Sequence, residues 1–407
     1  TIQVGDRPLG AAISPGGRFL AVAEKGQDSV RFIETSSFRT LVTYPLADRP
    51  YGLSFTPDGS SLLISHLLSG EITRVAVRPY TSYLPGISNN FLASKAKNHQ
   101  AASNSAPPSP KPAPLSILES IPTWTLIAPA PSVQVNSTGT RAYLPQTMGN
   151  GLGMNTQFDT TVFPVVTVID LETGSHKKTE NISLADVDQP VGLPWDTALA
   201  IDDRELWVVN AGSNNISVID ISNPNLPARV ANIEVSHNPR SIVFSPEGNN
   251  AFVHNTLAGT VSVIDTQTYS VIDEIASTSI PLPPLLLEGK RLFHSSARPE
   301  LAQASWISCN TCHVEGEQDG RTWFVQFLGE VPPGEQPDIK RNTTSLLGML
   351  ETYPLRWSGE WDESADSEFS IRFEQFGTGL IAGEMHDTLG TPNQGRSAEL
   401  DALAAFI

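Results

Sequence analysis

The chain has 407 residues, 39% of them hydrophobic, and no apolar run approaches the roughly 20 residues that a membrane-spanning helix needs. With 26 basic against 43 acidic residues the formal charge is −17, which argues against nucleic acid or an anionic membrane as a partner. A basic protein partner, or simply a well-solvated surface, fits that charge, and the length accommodates two or three domains.

The chain opens in "TIQVGDRP", which reads as a strand and not as a basic and apolar leader. The numbering is therefore expected to begin after a processed or missing segment. One pattern then returns five times: a Pro, an alternating apolar run, a Gly or Asp turn, a second apolar run, a polar turn and a V-x-V-I-D-like strand. The copies begin "RPLGAAISPGGRFLAVAE", "RPYGLSFTPDGSSLLISH", "APSVQVNSTGTRAYLPQT", "PWDTALAIDDRELWVVN" and "NPRSIVFSPEGNNAFVHN". Pro8 and Pro50 lie 42 residues apart and Pro194 and Pro239 lie 45 apart, the spacing of one four-stranded propeller blade. Alternation with β-branched residues specifies strands, and "SPGG", "TPDG" and "SPEG" are turn chemistry. One such sheet cannot bury both faces alone, so the copies should stack radially.

These repeats resemble the YVTN family of β-propellers over about residues 1–278, with "LWVVN" and "AFVHN" approximating its signature strand. The resemblance implies six or seven blades when complete, against the five repeats visible. Two insertions are expected, at about 84–118, where "AASNSAPPSPKPAP" is rich in Pro, Ser and Ala, and at about 148–162. The polar residues Glu24, His66, Asn210 and Asn255 recur at the end of the second strand. They either line a central channel or tie each blade together by hydrogen bonds.

After Ser279 the texture changes. A Pro-rich linker, residues 279–288, leads into an amphipathic helix candidate carrying Leu286, Leu287, Lys290 and Phe293. A second domain follows, at residues 289–407. It holds both cysteines of the chain, in "SCNTCHV". Cys309, Cys312 and His313 form CxxCH, the attachment signature of c-type haem: two thiols add to two vinyl groups of one porphyrin, and the next residue offers its imidazole to the iron as proximal ligand. A thioredoxin-like pair would need a βαβ setting, a zinc site more ligands, and a disulfide across so short a loop would restrain almost nothing. One covalent haem c is the expected cofactor. Because such attachment takes place outside the cytoplasmic membrane, the expected location is periplasmic or otherwise extracytoplasmic.

The motifs "GKRLFHSS", "ISCNTCH", "KRNTTS" and "RWSGEW" resemble in order those of the N-terminal haem domain of the di-haem cytochrome c peroxidase and MauG superfamily. Arg341, Asn342 and Thr344 match its R-N-x-P-T signature. Trp357 and Gly359 match its W-D-G-R, with Ser358 and Glu360 replacing Asp and Arg. The resemblance implies a mainly α cytochrome domain, an electron-carrying role for Trp357, and an acid/base role for Glu384 of the Glu384-Met385 pair. Two departures stand out. No histidine lies between His313 and His386, where the family has a second one, and the residues given hold one CxxCH, where the family's peroxidases have two. The sixth ligand is then Met385, Met349, His386 or His294, or the position is open.

The favoured reading is a multidomain electron-transfer protein: an all-β propeller as docking platform, followed by a cytochrome domain that exchanges electrons with a redox partner protein. A second is a di-haem, peroxidase-like enzyme whose other haem domain or subunit lies beyond these residues. A third is a partner-binding structural propeller with an auxiliary haem.

Overall fold

A computed structural model describes residues 2–77, 115–121, 129–150, 161–176, 181–185, 189–324 and 340–407. Each of the five repeats folds into its own antiparallel sheet. The first is β1 (Pro8–Ile13), β2 (Phe19–Glu24), β3 (Ser29–Glu34) and β4 (Thr40–Pro45). The second is β5 (Pro50–Phe55), β6 (Ser61–His66), β7 (Ile72–Val77) and β8 (Leu115–Ile121). The third holds β9 (Gln134–Val135), β10 (Arg141–Gly149), β11 (Val162–Asp170), β12 (Ser175–His176) and β13 (Ile182–Ser183). The fourth is β14 (Pro194–Leu199), β15 (Glu205–Asn210), β16 (Asn215–Asp220) and β17 (Ala228–Glu234). The fifth is β18 (Pro239–Phe244), β19 (Asn250–Asn255), β20 (Thr260–Asp265) and β21 (Ser270–Ala276).

The sheets stack as propeller blades, with one hydrophobic cluster filling each interface between neighbours. Ala21 and Phe32 of blade 1 meet Leu62, Ile64 and Val75 of blade 2. Leu63 and Ile72, on the opposite face of blade 2, meet Leu144 and Ile169 of blade 3. Val166 and Val168 then meet Leu206 and Val208 of blade 4, and Trp207 and Val218 meet Ile242 and Val253 of blade 5. Period-two alternation thus gives every middle blade two buried faces. On the end blades Ile13 and Val243, which alternate with residues packed into these clusters, are 63% and 61% exposed.

The recurrent polar residues tie their own blades together. Asn210 Nδ2 donates to Asn215 Oδ1 and Ser217 Oγ, both at 3.0 Å. Asn255 Nδ2 repeats the pattern with Thr260 Oγ1 at 3.2 Å and Ser262 Oγ at 2.8 Å. Glu24 accepts from Ser29 Oγ and from the Arg31 guanidinium, and His66 Nε2 accepts from Thr73 Oγ1 at 2.8 Å. All four side chains are buried, so these bonds replace water that the strands exclude.

The edges of both insertions differ from those the composition suggests. β8 starts at Leu115 and completes blade 2 inside the range expected to be an excursion, while residues 84–114 lie outside the described residues. Likewise β10 runs to Gly149 and β11 starts at Val162, because cross-strand pairing continues to Gly149↔Val162, and residues 151–160 lie outside the described set.

Beyond blade 5, helix α1 (Pro284–His294) begins inside the expected linker, since Pro284 supplies a preset φ at the first helical position. Helix α4 (Ala398–Phe406) packs across it. Gly289 allows the crossing: a Cβ there would stand 1.9 Å from the carbonyl oxygen of Ala402. Between these helices lie α2 (Cys309–Cys312), α3 (Ser367–Phe369) and a short hairpin of β22 (Thr322–Phe324) with β23 (Lys340–Asn342). The described part of this region is largely turns and loops around a core of Leu292, Phe293, Ile371, Leu400 and Leu403. Among the described residues no helix is long and apolar enough to cross a membrane.

Candidate haem-attachment site

The Cys-Asn-Thr-Cys stretch forms the single turn α2 because Ser308 caps it: the Ser308 N–H donates to Thr311 Oγ1 at 3.0 Å. His313 N–H closes the turn on Cys309 O at 2.9 Å. A tight reversal follows, with Glu315 and Gly316 at φ 57° and 78°. The result places Cys309, Cys312 and His313 on the wall of one cavity of 470 Å³, in the size range of ligand pockets. Ile307, Leu346, Leu355 and Phe293 contribute apolar walls.

His313 Nδ1 lies 2.9 Å from the carbonyl oxygen of Thr344, so Nδ1–H donates and the lone pair sits on Nε2. This backbone partner fixes tautomer and ring orientation as the outer partner of a metal-ligating histidine does. Burial lowers the pKa of His313, which favours the neutral imidazole that ligation requires. Burial pushes the Cys309 thiol up to about 11 and the Cys312 thiol well above its ordinary value. A redox-active CxxC pair needs the opposite shift, since thiolate is its nucleophile.

Three buried polar atoms on the same cavity wall have no hydrogen-bond partner: Arg356 Nη1, Trp361 Nε1 and Thr343 Oγ1. Buried orphan donors of this kind are costly unless a ligand meets them. Two thiols, a free imidazole nitrogen, apolar walls and unmet donors are the inventory that a covalently held porphyrin with its acidic propionates would use. The residues present fit the group.

The remaining candidates divide by position. Met349 lines the cavity, in a short turn at Met349–Glu351. Met385 is packed instead against the Leu292 and Leu400 core beside Cys309, and is not among the lining residues. Glu384 is exposed and also lies outside the lining; its backbone carbonyl accepts from Arg396 Nη2 at 2.7 Å. His386 donates from Nδ1 to Pro392 O at 2.9 Å, away from the cavity. His294 is buried at the propeller face, and burial pushes its pKa down to about 3. Trp357 stands on the cavity wall, 55% exposed, and its indole N–H donates to Asn342 O at 3.0 Å. That bond joins the R-N and W-x-G motifs.

The propeller grips the chain directly after His313. Val314 packs among Leu67, Leu193, Trp195 and Ala211 of the blades. Glu315 Oε1 pairs with Arg240 Nη2 at 2.9 Å; although burial pushes its carboxyl up, Arg240 and His294 hold it below its ordinary value. Arg240 itself lies 3.7 Å from the ring centre of Trp195 and bonds His294 Nδ1 at 3.2 Å. Glu317 meets Arg7, Lys25 and Arg49 at 3.1, 3.3 and 2.8 Å. Sequence reasoning missed Arg240, Glu315, Glu317 and Arg356, because their partners are brought together only by the blades and loops.

No known family profile matches the chain. Over 131 residues, 31% of this chain and 35% of the relative, it is 28% identical to an uncharacterized protein, YncE, of Salmonella typhimurium strain LT2. The match therefore spans about a third of that relative's length. Among solved structures, Kuenenia stuttgartiensis hydrazine synthase superposes with a TM-score of 0.45 at 15% identity, over 64% of this chain and 65% of that one. A functionally unknown protein from Desulfotomaculum acetoxidans DSM 771 also gives 0.45, at 12% identity over 65% of this chain and 68% of that one. The β-propeller rests on the five sheets and their packing.

Proposed function

We propose that the chain is an extracytoplasmic c-type haem protein that passes single electrons, with residues 1–278 as a propeller platform, 279–288 as linker and 289–407 as a c-type cytochrome domain. The observation that carries this reading is the convergence of Cys309, Cys312 and a His313 with its Nε2 lone pair free on one cavity. The bound haem would supply a reversible one-electron couple.

The rest is work for the chain's own residues. Cys309 and Cys312 would hold the group covalently, and Thr344 O orients His313 so that its Nε2 would be offered to the iron. Arg356, Trp361 and Thr343 meet carboxylate oxygens with donors that are otherwise unmet. Met349, on the cavity wall, would be the second iron ligand in preference to Met385, and a thioether would raise the potential relative to a second histidine. Trp357, on the cavity wall and 55% exposed, would be the residue through which electrons leave. The formal charge of −17 favours a basic redox partner.

Optical and EPR spectra of the purified protein test this. The expected result is a low-spin haem whose methionine-ligation band disappears in Met349→Leu and persists in Met385→Leu. A high-spin haem that reacts with peroxide would replace electron transfer with peroxidase chemistry, the reading that calls for a second haem domain beyond these residues.

A further inference from the structure

We propose that a second, cationic cavity, where the loops of blades 1 and 2 meet the chain after His313, binds a small dianionic oxyanion. It has a volume of 370 Å³ and is lined by Arg7, Lys25, Arg49, Glu317, Gln318, Ser345 and Leu347. Three cations face one carboxylate on its walls, with Asp48 3.8 Å from Arg49 beside them, a local excess of positive charge in a chain whose formal charge is −17. So concentrated a reversal of sign creates a field that selects anions.

The hydrogen-bonding inventory agrees with the charge. Lys25 has a side chain only 8% exposed, yet its three donors have Glu317 Oε1, at 3.3 Å, as their ion-pair partner. Arg49 Nη1 lies 2.8 Å from Glu317 Oε2, a close ion pair off the ideal hydrogen-bond geometry. Arg49 Nε is 3.8 Å from Asp48, a loose pair. Arg7 reaches Glu317 Oε1 at 3.1 Å and keeps 60% of its side chain exposed at the entrance. Ser345 Oγ accepts from Leu347 N at 3.2 Å and retains its own hydroxyl proton for a ligand. A buried ammonium, a fork-shaped guanidinium, a second guanidinium largely exposed at the entrance and a hydroxyl donor match a tetrahedral phosphate-type ion or a short dicarboxylate. Three cationic groups around one space favour a dianion over a monocarboxylate.

The site lies outside the haem cavity, although Ser345 lines both. Its occupancy can therefore be read without reference to the haem.

Calorimetric titration of the purified full chain at constant ionic strength, with inorganic phosphate in one arm and succinate in the other, tests the proposal. Saturable one-to-one binding of either is expected, phosphate identifying an inorganic ion and succinate a dicarboxylate as the natural class. Arg49→Gln should weaken it at least tenfold. Because Arg49→Gln disturbs the Glu317 clamp, Arg7→Gln, at an exposed position, is the control that keeps the fold; it should weaken binding several-fold with an unchanged circular dichroism spectrum. Absence of saturable heat in both arms, or equal affinity in the wild type and Arg7→Gln, overturns the proposal.

Discussion

The blades and the region around Cys309, Cys312 and His313 are held by different kinds of contact. In the blades, Asn210 bonds residues 215 and 217, and Asn255 bonds residues 260 and 262, so the polar ties repeat with the sequence. The CxxCH region depends on distant partners that do not repeat: Glu317 reaches Arg7 across 310 positions, and His313 reaches Thr344 across 31. Repetition makes a platform that any one blade can specify locally. A site that must hold one group in one orientation has to recruit contacts that occur once.

Substitutions that strike each kind of contact should sharpen this contrast. The largest expected effect is at the helix crossing: Gly289→Val places a branched side chain against the Ala402 carbonyl and should cost about 3 kcal/mol or more, measured by denaturant unfolding. Next, Asn210→Ala leaves buried Ser217 without its donor and should cost about 2 kcal/mol, with Asn255→Ala costing a similar amount because the blades share the device. Unequal costs would show that the repeats are not energetically equivalent.

Arg240→Gln removes the Glu315 pair and the contact over Trp195. Since Glu315 is 37% exposed, the loss should be only about 1 kcal/mol, but hydrogen exchange should quicken in residues 313–317 rather than within the blades. The smallest effect is on pH dependence. His294, among Arg240, Lys290 and Glu315, is held neutral with its pKa pushed down to about 3, first by burial and then by Arg240. The unfolded chain binds this proton near pH 6.5, so the stabilisation is complete above that pH and is lost progressively as pH falls toward 3. Between pH 7 and 6 the share is about 0.7 kcal/mol, and His294→Asn should remove that slope. Asp196, pushed up to about 6 by burial, acts with the opposite sign, which is why the slope must be read as the difference from the variant.

The five blades are legible in the sequence because strand alternation and turn residues are local signals. CxxCH is legible for the same reason, its three residues being contiguous. The position of β8 is not, since the composition of residues 84–114 overwhelms the short strand after it. Nor can spacing decide between Met349 and Met385: only the loop carrying residues 343–357 puts the first on the cavity wall. The Glu317 clamp has no sequence signature, because an isolated Glu is ordinary until blades 1 and 2 bring Arg7, Lys25 and Arg49 around it.

The most direct test of the central claim is intact-mass spectrometry of the full chain produced in a host with a cytochrome c maturation system, under denaturing conditions that strip non-covalent ligands. The account predicts a mass increase of one haem, abolished when Cys309 and Cys312 are both replaced by alanine. An unmodified chain, or a haem adduct that survives loss of both cysteines, would contradict it.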